Sequence, residues 1–171
     1  MISVPRAAFA IFIRSFAPTM LTLYLTRHAK ASKEERNLRD IDRPLNERGV
    51  NDAALMAGQF VARGEALDLL VTSTALRASS TARVFAKALA LDDSHISGTE
   101  EIYLADTGVL MRTVNDLPDR AKRIMLFGHN PGFSKLAEAL SGEATGELST
   151  CATVRIDFDV DIGSHFFHGQ L

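Results

Sequence analysis

Three short polar segments hold the residue types best suited to chemistry: Arg27-His28, Ser73 to Arg77, and His129-Asn130. An imidazole with one unprotonated ring nitrogen is a competent nucleophile near neutral pH, its reference pKa being about 6.5. Arginine presents a planar fork of N–H donors that matches phosphate oxygens two at a time. Two arginines and a second histidine around one nucleophilic nitrogen would offset the negative charge that spreads over a transferring phosphoryl group. Positioning and electrostatics carry most of phosphoryl-transfer catalysis, so a site of this kind needs no metal ion or organic cofactor. A helix starting near Ser73 or Thr74 would add amide donors beside Arg77. Taken singly, each residue has an ordinary explanation: Arg27 or Arg77 could pair with Asp40, Asp42 or Asp68, and His129 could bond a loop carbonyl. Their joint placement is what points to a phosphate site.

Each polar segment follows an apolar run of strand character. Leu21 to Leu25 leads into Thr26-Arg27-His28, Leu67 to Val71 leads into Thr72-Ser73, and Arg123 to Phe127 leads into Gly128-His129. Helical periodicity fills the intervals. Leu45, Val50, Ala54, Leu55, Gly58 and Val61 recur at helical spacing, with Asn46 as N-cap and Gly64 as the stop. Ser73 or Thr74 would cap a second helix that turns Leu76, Val84, Phe85, Ala88 and Leu89 inward. A strand-like patch near His95 to Ile96 precedes a helix across Gly108 to Leu117, and Asn130-Pro131 opens a last helix running to Gly142. Val154 to Phe158 alternates as a half-exposed strand does, antiparallel near a sheet edge. The repeated strand-then-helix order predicts an α/β fold, a three-layer α/β/α sandwich with a mainly parallel central sheet. Ligands of such sheets gather outside the carboxyl ends of the strands, where all three polar segments arrive.

The chain has 171 residues, 46% hydrophobic and 23% charged, which fits one globular domain and excludes disordered, collagen-like or fibrous chains. A formal charge of −2 gives no basic excess for nucleic-acid binding. Residues 1–19 stand apart: they carry Arg6 and Arg14, no acid, and an apolar run from Ala7 to Ile13 that is too short to span a bilayer. A signal-like segment and an Arg-rich presequence are alternatives, and the favoured expectation is an extension upstream of a start at Met20, with residues 20–171 forming the single domain. No other segment is a membrane-span candidate, so no membrane partner is expected. The lone Cys151 can form neither an internal disulfide nor a cysteine-based zinc site, which favours a reducing, cytoplasmic location. It reads as a small buried hydrophobe, His95 as a residue at an ordinary strand edge, and His165 and His168 as terminal packing rather than a metal pair. Lys30 to Arg43 reads as a charged surface loop, from which Arg43 could face the cleft mouth as a substrate contact or pair with Asp40 or Asp42.

Leu25-Thr26-Arg27-His28-Ala29 resembles the signature of the histidine phosphatase superfamily, the phosphoglycerate mutase-like fold in which Arg-His-Gly or Arg-His-Ala follows the first strand. Thr72 to Ala82 resembles that family's second-arginine segment, and Phe127 to Gly132 its second-histidine segment. The phrases Arg27 to Ala31, Asp42 to Gly49 and Gly128 to Gly132 are most similar to the SixA-like phosphohistidine phosphatases. The resemblance implies His28 as the transiently phosphorylated nucleophile and Arg27, Arg77 and His129 as the phosphate pocket. It implies a general acid near Glu101, with Asp106 as the rival position, and neither cofactor nor metal. Thr74 stands where the family usually has proline, and the acid segment matches only loosely. The implied substrate is phosphohistidine on a signalling protein, because a phosphoramidate leaving group needs less help from an acid than an alkoxide does. Rival readings are a phosphatase for small phosphomonoesters, a sugar-phosphate mutase, and a module that binds phosphate without turnover.

Overall fold

The computed structural model describes residues 19–32 and 38–160. Five strands form one sheet: β1 (Thr19–Arg27), β2 (Leu69–Ser73), β3 (Ile96–Thr99), β4 (Arg123–Gly128) and β5 (Thr153–Val160), in the order β3-β2-β4-β1-β5. The first four are parallel, and β5 runs antiparallel to β1 at the edge, as its alternation predicts. Four helices connect them: α1 (Glu47–Ala62), α2 (Leu76–Ala88), α3 (Thr107–Asn115) and α4 (Gly132–Ser141).

The period of two along the strands sorts their side chains into two cores. Leu21, Leu23 and Leu25 of β1 join Ile124 and Leu126 of β4 against Leu110 and Val114 of α3 and Phe133, Leu136 and Ala137 of α4. On the other face Tyr24, Leu70, Met125 and Phe127 meet Ala53, Ala57 and Phe60 of α1 and Ala82, Phe85 and Ala86 of α2. The expected three layers result.

Several local expectations need correction. The buried stripe of α1 is Gly49, Ala53, Ala57 and Phe60, so the helix is rotated from the face read by apolar size; Val50, Leu55 and Val61 point to water. Small residues won because α1 approaches closely: a Cβ on Gly49 would collide with the backbone carbonyl of Lys30. The cap of α2 is Ala75, with no side-chain bond, while Ser73 Oγ accepts the Ala75 N–H at 3.2 Å. Of its five expected inward residues Phe85 is buried and Val84 and Leu89 pack partly buried against the same core, whereas Leu76 and Ala88 are exposed, and Ala78, Thr81, Ala82 and Ala86 fill the rest of the interface. The cap of α4 is Pro131 rather than Asn130. Met20 lies inside β1, and His95 sits in a 3-10 turn (Asp93–His95) ahead of β3. Asn46 caps α1 as expected, accepting from Gly49 N–H at 2.8 Å, and Cys151 is buried. The expectations for residues 1–18 and for His165 and His168 lie outside the described residues. No described helix is long and apolar enough to cross a membrane.

Candidate active site

Sheet register brings the two histidines together. β1 and β4 pair so that Arg27 faces Gly128, and the residue following each strand is a histidine. The His28 amide donates to the Gly128 carbonyl at 3.0 Å, and the two imidazole centroids stand 5.0 Å apart. Arg77 arrives from β2's side on the first turn of α2, only 3% exposed. Its Nε–H donates to His28 Nε2 at 3.2 Å and its Nη2 donates to His129 Nδ1 at 3.3 Å. Arg27, His28, Arg77 and His129 therefore converge on one cleft of about 210 Å³, which Lys30, Ala31, Arg43, Leu104, Asn130 and Thr150 complete.

Hydrogen bonding assigns the ring protons. His28 Nδ1 lies 2.7 Å from the Ala29 carbonyl, which accepts only, so the proton resides on Nδ1 and the Nε2 lone pair faces Arg77. His129 Nδ1 receives the Arg77 N–H, so its Nε2–H donates to Ser73 Oγ at 2.9 Å. Burial lowers the His28 pKa to about 4; the Ala29 hydrogen bond opposes the shift and the charges of Arg77, Arg27 and Arg43 reinforce it. Burial also lowers that of His129 to about 3, helped by His28 and Arg77. Both rings are neutral at pH 7. Thr81 of α2 ties the nucleophile's backbone in place, since its Oγ1 accepts the Ala29 N–H at 3.1 Å while donating to the Arg77 carbonyl at 2.7 Å.

The cationic groups are held by acceptors at the rim. Arg27 Nη1 donates to the Leu148 carbonyl at 2.6 Å and to Glu147 at 3.3 Å, while its buried Nε has no partner. Asn130 Nδ2 also donates to the Leu148 carbonyl, at 2.9 Å. Arg43 lines the cleft and forms the expected alternative pair with Asp40, at 3.0 Å. Asp40 is the hub that sequence reading treated only as an alternative partner: its carboxylate accepts from Arg43 Nη1, from Arg77 Nη2 at 2.7 Å and from the Tyr103 hydroxyl at 2.7 Å, and its carbonyl accepts from Arg77 Nη1. Burial pulls the Asp40 carboxyl upward, but the hydrogen bonds from Tyr103, Arg43 and Arg77 outweigh it and hold the group well below the usual carboxylate range. The Tyr103 ring also packs edge-on against His129, centroids 5.4 Å apart.

Neither expected acid is among the residues lining the cleft. Glu101 is exposed on the turn after β3, with its backbone N–H bonded to Thr99 Oγ1. The Asp106 side chain caps α3 by accepting from Val109 N–H at 2.9 Å. Sequence reasoning missed Tyr103, Ser73 as an imidazole partner, Thr81, Lys30, Leu104 and Thr150. Tyr103 lies within the segment Glu100 to Asp106 where the resemblance implies an acid, so its aromatic hydroxyl is the available signal.

A cleft with two imidazoles and several guanidiniums at strand ends is suited to a phosphoryl group, and the comparisons agree. The model of the histidine phosphatase superfamily, branch 1, matches residues 23–132. The chain belongs to this superfamily. As a histidine phosphatase it has a relative in Mycobacterium tuberculosis, the uncharacterized protein Rv1276c, 33% identical over 115 residues that span 67% of this chain and 69% of the relative. Among solved structures, this histidine phosphatase superposes on a protein assigned as the phosphohistidine phosphatase SixA from Agrobacterium tumefaciens with a TM-score of 0.72 and 29% identity, covering 81% of this chain and 92% of that one. It shares its fold with a protein histidine phosphatase SixA complexed with tungstate, at TM-score 0.71, 22% identity and coverage of 79% and 86%. The chain is thus a SixA-like histidine phosphatase with a phosphoglycerate mutase-like fold.

Proposed function

We propose that this phosphatase acts through a phosphorylated His28, without a metal ion, and that its favoured substrate is phosphohistidine carried on a protein. The carrying observation is the pairing of a neutral His28, its Nε2 unprotonated, with the guanidinium of Arg77, whose Nε–H that nitrogen accepts at 3.2 Å. In the first step the Nε2 lone pair attacks phosphorus, and the P–N bond to the substrate's imidazole, protonated on its other ring nitrogen, breaks to release neutral imidazole. Arg77, Lys30, Arg43 and Arg27, which line the cleft, supply positive charge and N–H donors to the phosphoryl oxygens. Water then attacks the phosphorus of phospho-His28, releasing inorganic phosphate and restoring the free imidazole.

The leaving-group preference follows from the acids. The described cleft lining contains no carboxyl group, and the nearby Asp40 is held ionised by its three side-chain donors. An alkoxide leaving without a proton faces a high barrier, whereas an imidazole leaves from phosphorus far more readily. The relative at 29% identity, assigned as a phosphohistidine phosphatase, supports the same choice. The test is a comparison of phosphohistidine peptide with the same peptide carrying phosphoserine, using wild-type protein and His28→Ala. The expected result is a higher kcat/KM on the phosphohistidine peptide by at least about a hundredfold, the scale of general-acid assistance, and loss of both activities in the variant. Faster turnover of the phosphomonoester would reverse the substrate assignment.

A further inference from the structure

Leu104 lines the phosphate cleft, is 56% exposed and holds a backbone φ of +51°. Both features work against folding, because a leucine gains nothing by facing water and its Cβ crowds the carbonyl in the left-handed region. Outliers of this kind concentrate where function requires them. Two further large apolar residues are exposed and stand in sequence next to groups of this site: Leu76 at 40% and Leu38 at 39%. Leu76 directly precedes Arg77, Leu104 directly follows Tyr103, and Leu38 lies two positions before Asp40. Arg77 and Tyr103 both donate to the same Asp40 oxygen at 2.7 Å, so each leucine neighbours in sequence a group that meets the others at one atom.

We infer that Leu38, Leu76 and Leu104 form an apolar docking rim for a phosphoprotein whose phosphorylated side chain projects from an apolar patch. This inference rests on the phosphoprotein reading above and names the kind of surface involved. The charge pattern selects the occupant: guanidiniums at the cleft floor take the phosphoryl group, while the leucines meet the surface that carries it. A small free phosphomonoester would reach the floor and leave the rim in water. An anionic membrane is disfavoured, since exposed Glu101 and Glu147 sit at the same end of the sheet and would repel its headgroups.

The test uses the full chain and two helical peptides, each with one phosphohistidine. In one peptide leucines stand four residues before and three residues after it, on the same face; in the other, serines replace them. Wild-type protein is expected to favour the leucine peptide by about tenfold in kcat/KM, expressed mainly in KM, as lost apolar anchors typically give. Leu38→Ala/Leu76→Ala should reduce that preference to about twofold while free phosphoramidate is turned over at the wild-type rate, and adding Leu104→Ala should remove what remains. Equal treatment of the two peptides by wild-type protein, or an unchanged preference in the double variant, overturns the rim while leaving the phosphohistidine reading intact. Failure to hydrolyse phosphoramidate and both peptides, with p-nitrophenyl phosphate still hydrolysed, overturns the phosphohistidine reading and the rim together. Binding to anionic vesicles that the double variant loses would assign the leucines to a membrane surface instead and also overturn the proposal.

Discussion

The Nε–H of Arg77 points at Nε2 of His28 across 3.2 Å. This contact commits the ring: Nε2 can accept that hydrogen bond only without a proton of its own, and the Ala29 carbonyl takes the Nδ1 proton on the other side. An incoming phosphoryl oxygen would take over the Arg77 donor and leave the Nε2 lone pair directed at phosphorus.

Ring protonation is therefore displaced far to the acid side. Proton or carbon NMR titration of the imidazole signals should give midpoints near 4 for His28 and near 3 for His129, assigned with His28→Ala and His129→Ala. A midpoint near the ordinary value of about 6.5 for His28 would mean that the pocket does not desolvate its ring.

Stability should carry the same signature. In the unfolded chain both histidines bind protons around pH 6.5, whereas in the folded chain they resist until about pH 4 and 3. The unfolded state thus binds more protons on acidification, and unfolding free energy should fall as pH drops from 6.5 toward 4. Chemical denaturation across that range measures the slope, and replacing both histidines with asparagine should flatten it. A slope indifferent to those replacements would place the acid sensitivity elsewhere.

Asp40 is expected to act as a positioning residue for Arg77. Asp40→Asn keeps the main-chain acceptor but weakens the charged acceptor shared by Arg43, Arg77 and Tyr103. We expect kcat to fall about tenfold with a smaller change in KM, and stability to fall by about 1 kcal/mol, discounted because the carboxylate is partly in water. Asp40→Glu should recover part of kcat. Unchanged kcat in the asparagine variant would show that Arg77 needs no such anchor.

Gly49→Ala tests the close approach of α1 to the loop behind His28. The added Cβ would meet the Lys30 carbonyl, which also accepts the Asn46 N–H at 3.0 Å, so backbone must move. A loss of about 2 kcal/mol or more is expected by urea denaturation. A neutral result would mean that the helix can shift freely.

The strands and the three polar segments were legible in the sequence because a buried parallel strand is a local apolar run and its end is marked by a change of polarity. Convergence of Arg27, His28, Arg77 and His129 followed from the rule that such ends share one edge. The buried face of α1 was not legible: apolar size favoured Val50, Leu55 and Val61, yet close packing chose Gly49, Ala53 and Ala57. The Asp40 hub was hidden for another reason. Its partners lie at positions 43, 77 and 103, and only the folded sheet brings those segments together. The family resemblance implies an acid near Glu101 through a loosely matched segment, whereas the turn after β3 directs Tyr103 to the hub and exposes Glu101.

The central claim is covalent and can be tested directly. Rapid acid-free quenching of the protein with a phosphoramidate substrate, followed by peptide mapping, should locate a phosphate that is base-stable and acid-labile on His28, formed within the first turnover and absent from His28→Asn. Turnover with no such adduct at His28, or an adduct on another residue, would contradict the account.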